Sequence, residues 1–132
     1  MYMNKRLSLV FLCLILVVVL VGCNNPVTGE YKKITPTQAK EIMDSGDPFV
    51  LLDVRTLAEF TTERISGAIL VPDFEITSRA ESEIPDKTAT YLVYCRSGVR
   101  SERAARDLIA MGYITVYDFG GILSWPYETV SG

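Results

Sequence analysis

Apolar residues follow two kinds of pattern along the chain. From Leu9 to Val21 they run unbroken for 13 residues, and from Tyr31 onward they come as short blocks and spaced stripes. The blocks Phe49–Leu52, Ala68–Val71, Thr90–Tyr94 and Ile114–Tyr117 are rich in β-branched and aromatic residues and are bounded by turn formers. Such blocks predict strands covered on both faces, as in a parallel sheet. The stripes predict helices. Thr35 caps one, with Pro36 in its first turn and Gln38 completing a capping box. Ala39, Ile42 and Met43 form its apolar face, and Ser45-Gly46 stops it. Thr56 and Glu59 form a second capping box, opening a short helix through about Thr62. Phe74–Glu83 carries Ile76, Ala80 and Ile84 at four-residue spacing, and Pro85-Asp86 ends it. Ser101–Met111 places Ala104, Ala105, Leu108 and Ile109 on one face and closes at Gly112. Strands alternating with helices predict an α/β domain with a mostly parallel sheet, whose ligands sit beyond the carboxyl ends of the strands.

The long apolar run changes the picture at the N-terminus. It follows Lys5-Arg6 and is too short for a bilayer-spanning helix, which needs ~20 residues. It suits the apolar region of a secretory signal instead. It ends in Leu20-Val21-Gly22-Cys23, which resembles a bacterial lipoprotein signal. That resemblance implies cleavage before Cys23 and a lipid on the Cys23 thiol. The expected organisation is a signal peptide over 1–22, a tether over 23–30 (CNNPVTGE) and one folded domain over 31–132. The expected location is the bacterial cell envelope, with the domain lipid-anchored to a membrane and facing away from the cytoplasm. An uncleaved membrane anchor is the competing reading of the same run.

Charge and composition narrow the chemistry. The full chain carries 13 basic and 16 acidic side chains, a net charge of −3, with a pI near 4.9. Loss of Lys5 and Arg6 with the signal leaves 11 basic against 16 acidic, a net charge of −5. An acidic surface argues against nucleic acid as a partner. The chain has no histidine, so Ser-His-Asp and Cys-His catalytic pairs and His-ligated metals are excluded. Three cysteines cannot build a structural zinc cage, and no metal or cofactor is expected. Cys13 leaves with the signal and Cys23 carries the lipid, so Cys95 remains alone. A lone thiol in an oxidising compartment is either buried and inert or kept for reactivity.

The position of Cys95 favours reactivity. It directly follows the strand Thr90–Tyr94 and precedes the helix that begins near Ser101. The loop Cys95-Arg96-Ser97-Gly98-Val99-Arg100-Ser101 must turn sharply, and Gly98 permits that. A loop entering a helix N-terminus points unpaired N–H groups at one spot, where an anion also gains from the helix dipole. A sulfur placed there is expected to be stabilised as the thiolate. Arg96 and Arg100, with Arg103 and Arg106 beyond, make the site attractive to small anions.

With these motifs in place, the chain resembles a rhodanese-like sulfurtransferase domain. Leu51-Leu52-Asp53-Val54-Arg55 with Glu59-Phe60 is similar to that family's D-V-R…E-F segment, and Ile65-Ser66-Gly67-Ala68-Ile69 to its I-x-G-A-x turn. Cys95 through Ser101 matches the C-x-x-G-x-R-S active loop. Gly112-Tyr113, Val116-Tyr117, Gly120-Gly121 and Trp125 resemble the closing pattern. The resemblance implies a rhodanese-like fold, a five-stranded, mostly parallel sheet between helices. It implies that Cys95 takes a sulfane sulfur from a donor such as thiosulfate and passes it, as a persulfide, to cyanide or a thiol. The implied partners are a small anionic donor and a thiol or cyanide acceptor, with the protein a monomer. The loop residues Arg96, Ser97, Gly98, Val99, Arg100 and Ser101 would bind substrate. By the same resemblance Asp53, Arg55 and Glu59 support the loop; read as residues alone, they form a strand-end turn and a capping box. Trp125 is expected both in the core and in a pocket wall. The chain departs from the family's G-H-I-P-G-A turn, with Glu63-Arg64-Ile65-Ser66-Gly67-Ala68 in its place, which leaves the rigidity of that turn open.

Rival functions remain. A non-catalytic binding or regulatory module of the same fold is one, although such modules typically lose the cysteine. A Cys-dependent phosphatase is another. Four residues separate Cys95 from Arg100, where phosphatases of similar loop style have five, and the shorter ring suits one terminal sulfur. A dithiol redox protein is disfavoured because there is no C-x-x-C pair.

Overall fold

The computed structural model of the chain describes residues 26–132; the expectations about the signal and Cys23 lie outside the described residues. Five strands form one sheet: β1 (Glu30–Lys33), β2 (Val50–Asp53), β3 (Ile69–Leu70), β4 (Thr90–Cys95) and β5 (Thr115–Gly121). Their order is β1-β5-β4-β2-β3, and every neighbouring pair is parallel. Four α-helices cover it: α1 (Pro36–Asp44), α2 (Leu57–Thr62), α3 (Ile76–Glu83) and α4 (Val99–Ala110). Single 3₁₀ turns occupy Asp73–Glu75 and Ile122–Ser124. The α/β architecture and the five-stranded parallel sheet are those the sequence predicts.

Alternation along the central strands builds two cores. In β4, Tyr91, Val93 and Cys95 face α3 and α4, among Ile76, Ala80, Ala104, Ala105 and Leu108. Leu92 and Tyr94 face the opposite side, with Ala39 of α1, Phe119 and Trp125. Period-two alternation within an all-apolar block is what a sheet buried on both faces requires. Cys95 therefore ends its strand on the α4 side. Both predicted capping boxes form. Thr35 accepts from the Gln38 N–H and Thr56 from the Glu59 N–H, and each partner side chain accepts from the backbone N–H of its cap residue.

Four boundaries depart from the pattern. β1 has no apolar block, so the pattern does not predict it; its residues are mostly exposed, and it joins the sheet by backbone pairing to β5. β3 shrinks to two residues. α4 starts two residues before Ser101, so Val99 and Arg100 are helical. β5 runs on through Gly120-Gly121, although that pair reads as a turn. Gly120 has a φ of +87°, and its N–H is held by the buried Asp118 carboxylate at 2.9 Å, so the strand bends there without ending.

The turn without the family's histidine and proline is held by other means. Arg64 pairs with Val130 through two backbone hydrogen bonds of 2.8 Å, and its guanidinium donates to the Gly132 carbonyl. Ile65 N–H donates to the Tyr94 hydroxyl from the core side at 3.1 Å.

Candidate active site

Cys95 is the last residue of β4 and is 1% exposed. Its register with β5 shifts between Val93 and Cys95, so that it comes level with Gly121. The chain turns immediately. Gly98, at a φ of +112°, occupies the N-cap of α4 and reaches a conformation that an L side chain resists. Its N–H donates to the Cys95 sulfur at 3.0 Å. Gly98 offers no side-chain cap, so the N–H groups of the first helical turn have no acceptor within the helix. The sulfur lies 3.5 Å from the Ser101 hydroxyl oxygen. That oxygen is also 3.0 Å from the Gly98 carbonyl and 3.1 Å from the Gly120 carbonyl.

The loop fits only because Gly121 has no side chain. A Cβ on Gly121 would collide with the Arg96 carbonyl and the Ser97 nitrogen. A Cβ on Gly98 would sit 3.4 Å from the Gly120 Cα. Leu123 N–H donates to the Arg96 carbonyl at 3.2 Å and clamps the loop to the segment after β5. Gly120-Gly121 appear in the sequence as part of a closing pattern; that Gly121 makes room for the cysteine loop while Gly120 bends the strand at a positive φ is visible only in three dimensions.

The predicted arginines have unequal surroundings. Arg100 makes two hydrogen bonds of 2.8 Å to the two carboxylate oxygens of Glu59. Those bonds, joined by others from Thr56 and opposed by burial, bring the Glu59 carboxyl down to about 2. The same hydrogen bonds raise the Arg100 guanidinium, with a smaller contribution from Cys95. Glu59 thus serves twice, as the capping-box partner of Thr56 and as the partner of a loop arginine. Arg103 bonds Asp73, and Arg106 bonds Glu102. Among the described residues Arg96 is the one arginine whose guanidinium has no hydrogen-bond partner; the others are held by carboxylates or, for Arg64, by carbonyls. Arg96 and Ser97 are exposed, Val99 is exposed, and Gly98 and Ser101 are buried.

Asp53 and Arg55 do not reach the sulfur. They form a buried pair in which the carboxylate accepts the Arg55 backbone N–H at 2.9 Å and the guanidinium at 2.7 to 3.1 Å. Arg55 also donates to the Glu63 carbonyl, one residue past α2. The pair thereby fixes the helix that carries Glu59, and acts on the loop at one remove. Tyr94, beside this pair, has its hydroxyl pushed well above the ordinary tyrosine range, first by burial and then by Asp53.

A cleft of about 440 Å³ opens beside the loop, walled by Arg55, Glu59, Glu63, Arg96 and Leu123. Trp125 is not part of it. Its ring packs in the core against Phe119 at 5.5 Å and walls a separate depression with Lys40, Met43 and Tyr127. Among the described residues no cluster of His, Cys, Asp or Glu is arranged to hold a metal ion.

Comparison with known proteins places this arrangement. The sequence profile of the rhodanese-like domain matches residues 35–127. Thiosulfate sulfurtransferase PspE of Escherichia coli is 36% identical over 81 residues, covering 61% of this chain and 78% of that protein. A sulfurtransferase of Allochromatium vinosum is 39% identical over 88 residues, covering 66% of this chain and 79% of that protein. A crystal structure of a rhodanese-like domain protein from Staphylococcus aureus superposes with a TM-score of 0.68 at 30% identity, over 76% of this chain and 98% of that one.

Proposed function

The chain belongs to the rhodanese-like domain family, and from that premise we propose that it is an active thiosulfate sulfurtransferase whose nucleophile is Cys95. The observation that carries the proposal is the Gly98 N–H bonded to the Cys95 sulfur at the mouth of a helix that no side chain caps. In the first step the Cys95 thiolate attacks the outer sulfur of thiosulfate. The bond between Cys95 and that sulfur forms, the sulfur–sulfur bond of thiosulfate breaks, and sulfite leaves with the electron pair. The Cys95 persulfide then carries one negative charge inside the loop. Backbone N–H groups converging on a developing anion stabilise it without reorganising. In the second step cyanide or a thiolate takes the outer sulfur, and the electron pair of the broken bond returns to Cys95 as thiolate. Arg96, with no hydrogen-bond partner among the described residues, draws the anionic donor to the loop. Arg100 is poised at the loop's edge, held there by Glu59.

Mass spectrometry of the thiosulfate-treated protein tests this. One added sulfur atom is expected, removed by cyanide and absent from Cys95→Ser. Turnover retained by Cys95→Ser overturns the mechanism. Aryl phosphate hydrolysis that depends on Cys95, without persulfide formation, would assign the loop to phosphate chemistry.

We also propose that Cys23 is lipidated after cleavage of residues 1–22, which would anchor the domain in the bacterial cell envelope. Support comes from the sequence alone, in the short apolar run that ends at a cysteine. Detergent partitioning and a mass shift lost in Cys23→Ala are the expected results. Unlipidated wild-type protein with Met1 intact would instead indicate an uncleaved anchor.

A further inference from the structure

The carboxyl ends of the strands carry a feature that a small anionic substrate does not use. Eight large apolar side chains are exposed among the described residues. Leaving aside Val27, the four most exposed are Leu57 at 66%, Phe74 at 72%, Val99 at 73% and Leu123 at 66%. Each lies within four residues of the last residue of a different strand: Leu57 after β2, Phe74 after β3, Val99 after β4 and Leu123 after β5. Hydrogen bonds connect their segments to the cysteine loop or to the helix that it opens. Val99 belongs to it, and Leu123 donates to the Arg96 carbonyl. Leu57 is two residues from Glu59, which holds Arg100. Phe74 follows Asp73, which holds Arg103 one helical turn beyond Val99. The four therefore stand on the loops at the carboxyl ends of four strands, where Cys95 ends β4, and Arg96, with no hydrogen-bond partner among the described residues, stands on one of those loops.

Isolated exposed apolar residues are ordinary, but a set gathered at the end of the sheet that carries a reactive group marks a contact surface. Thiosulfate and cyanide are small hydrophilic anions and gain nothing from apolar side chains spread over four loops. A macromolecule does. A guanidinium with no partner among the described residues calls for an acidic group on the docked protein, and exposed apolar residues on the neighbouring loops call for apolar side chains beside it. The chain's path favours an aqueous partner over lipid. Glu30, where the fold begins, pairs with Thr115, whereas Cys95 is level with Gly121. The N-terminal segment thus enters about 20 Å from the loop along the strands, at the opposite end of the sheet.

We infer that the Cys95 persulfide is exchanged with a cysteine on a partner protein whose surface is acidic and apolar, docked over Leu57, Phe74, Val99 and Leu123 with a carboxylate on Arg96. The inference rests on the sulfurtransferase reading above. The partner thiolate attacks the outer sulfur of the persulfide, the Cys95 sulfur–sulfur bond breaks, and Cys95 regains its thiolate as the partner becomes the persulfide.

The test loads the full-length protein with thiosulfate and measures transfer to short synthetic peptides, each with one cysteine. In one peptide the cysteine is flanked by Asp, Leu and Phe, in a second by Ser and Gly, and in a third by Lys, Leu and Phe. Cyanide serves as the reference acceptor. The acidic–apolar peptide is expected to accept sulfur at least about tenfold faster than the Ser/Gly peptide, once thiolate fractions are equalised. Leu57→Ser combined with Phe74→Ser should erase most of that advantage and leave transfer to cyanide unchanged. Arg96→Glu should reverse the order of the acidic and basic peptides. Equal rates for all three peptides, with cyanide turnover intact, overturn the docking surface. Loss of cyanide turnover in the wild type overturns the sulfurtransferase reading itself. Protection of Leu57 and Phe74 from hydroxyl-radical labelling by phosphatidylglycerol vesicles, with no peptide preference, would make these residues a lipid contact and also overturn the inference.

Discussion

Two ion pairs stand within a few residues of each other and do opposite kinds of work. Asp53–Arg55 is sealed, with side chains 0% and 4% exposed, and its hydrogen bonds run within the pair and to the Glu63 carbonyl rather than to the cysteine loop. Glu59–Arg100 is about a quarter exposed and reaches across from α2 to the loop itself. A sealed pair gains little net stability from its own attraction, because desolvation opposes it, yet losing one partner strands a bare charge. A half-open pair costs less to break, and its members stay within reach of solvent and substrate. The first pair is therefore a fixture of the fold. The second is part of the site.

The largest expected effect sharpens that contrast on the side of stability. Arg55→Ala leaves the Asp53 carboxylate buried without its partner and should lower unfolding stability by about 3–5 kcal/mol. Urea denaturation reads this directly, and the folded fraction should lose less sulfur transfer than Arg100→Ala does. A variant that unfolds like the wild type would erase the distinction between the pairs.

Arg100→Ala should act the other way round. Removing one charge-assisted contact, worth about 1.5–3 kcal/mol, should slow transfer from thiosulfate at least roughly tenfold while the protein melts within a few degrees of the wild type. If the loss is shared equally by Arg100, Arg103 and Arg106 variants and disappears at high salt, the arginines only steer.

A smaller effect is in acid. Glu59 is held down to about 2 by its hydrogen bonds to Arg100 and Thr56, against an unfolded value near 4.5. A carboxyl depressed in this way stabilises the fold fully above the unfolded value and loses that contribution as pH falls through the folded one. Wild type should therefore exceed Glu59→Gln in stability at neutral pH, and the gap should close between about pH 4.5 and about pH 2. A gap that persists at the acid end would mean the cap geometry matters, not the charge.

Least is expected of Arg106→Ala. Its partner is Glu102 one turn away on the same helix, and both side chains are largely exposed. Such a pair contributes roughly 0.3–0.5 kcal/mol, near the limit of a thermal melt.

The pairs also show how far sequence could be read. Thr56 and Glu59 declare a helix start because capping is local, spanning three residues. The bond from Glu59 to Arg100 crosses 41 residues and leaves no spacing signal. Cys95 was legible because strand, glycine and helix start lie within one short stretch. β1 was not, because an edge strand needs only its backbone to pair, and Glu30–Lys33 has no apolar block. The clamp from Arg64 to Val130 was hidden for the same reason, being made of main-chain bonds between distant segments. Trp125, expected both in the core and in a pocket wall, does both, but its wall belongs to the depression with Lys40, Met43 and Tyr127 and not to the cleft beside the cysteine loop.

Ser101 brings the loop's behaviour down to a single proton. Its hydroxyl oxygen sits among two carbonyl oxygens and the Cys95 sulfur, yet it has only one hydrogen to give. While the sulfur carries its own proton, the thiol can point at the serine oxygen and the serine at a carbonyl. Once the sulfur is charged, the hydroxyl can swivel toward it by turning one torsion, with every heavy atom in place. The loop can thus follow a full cycle of charge on its cysteine as a compass needle follows a field, with its frame at rest.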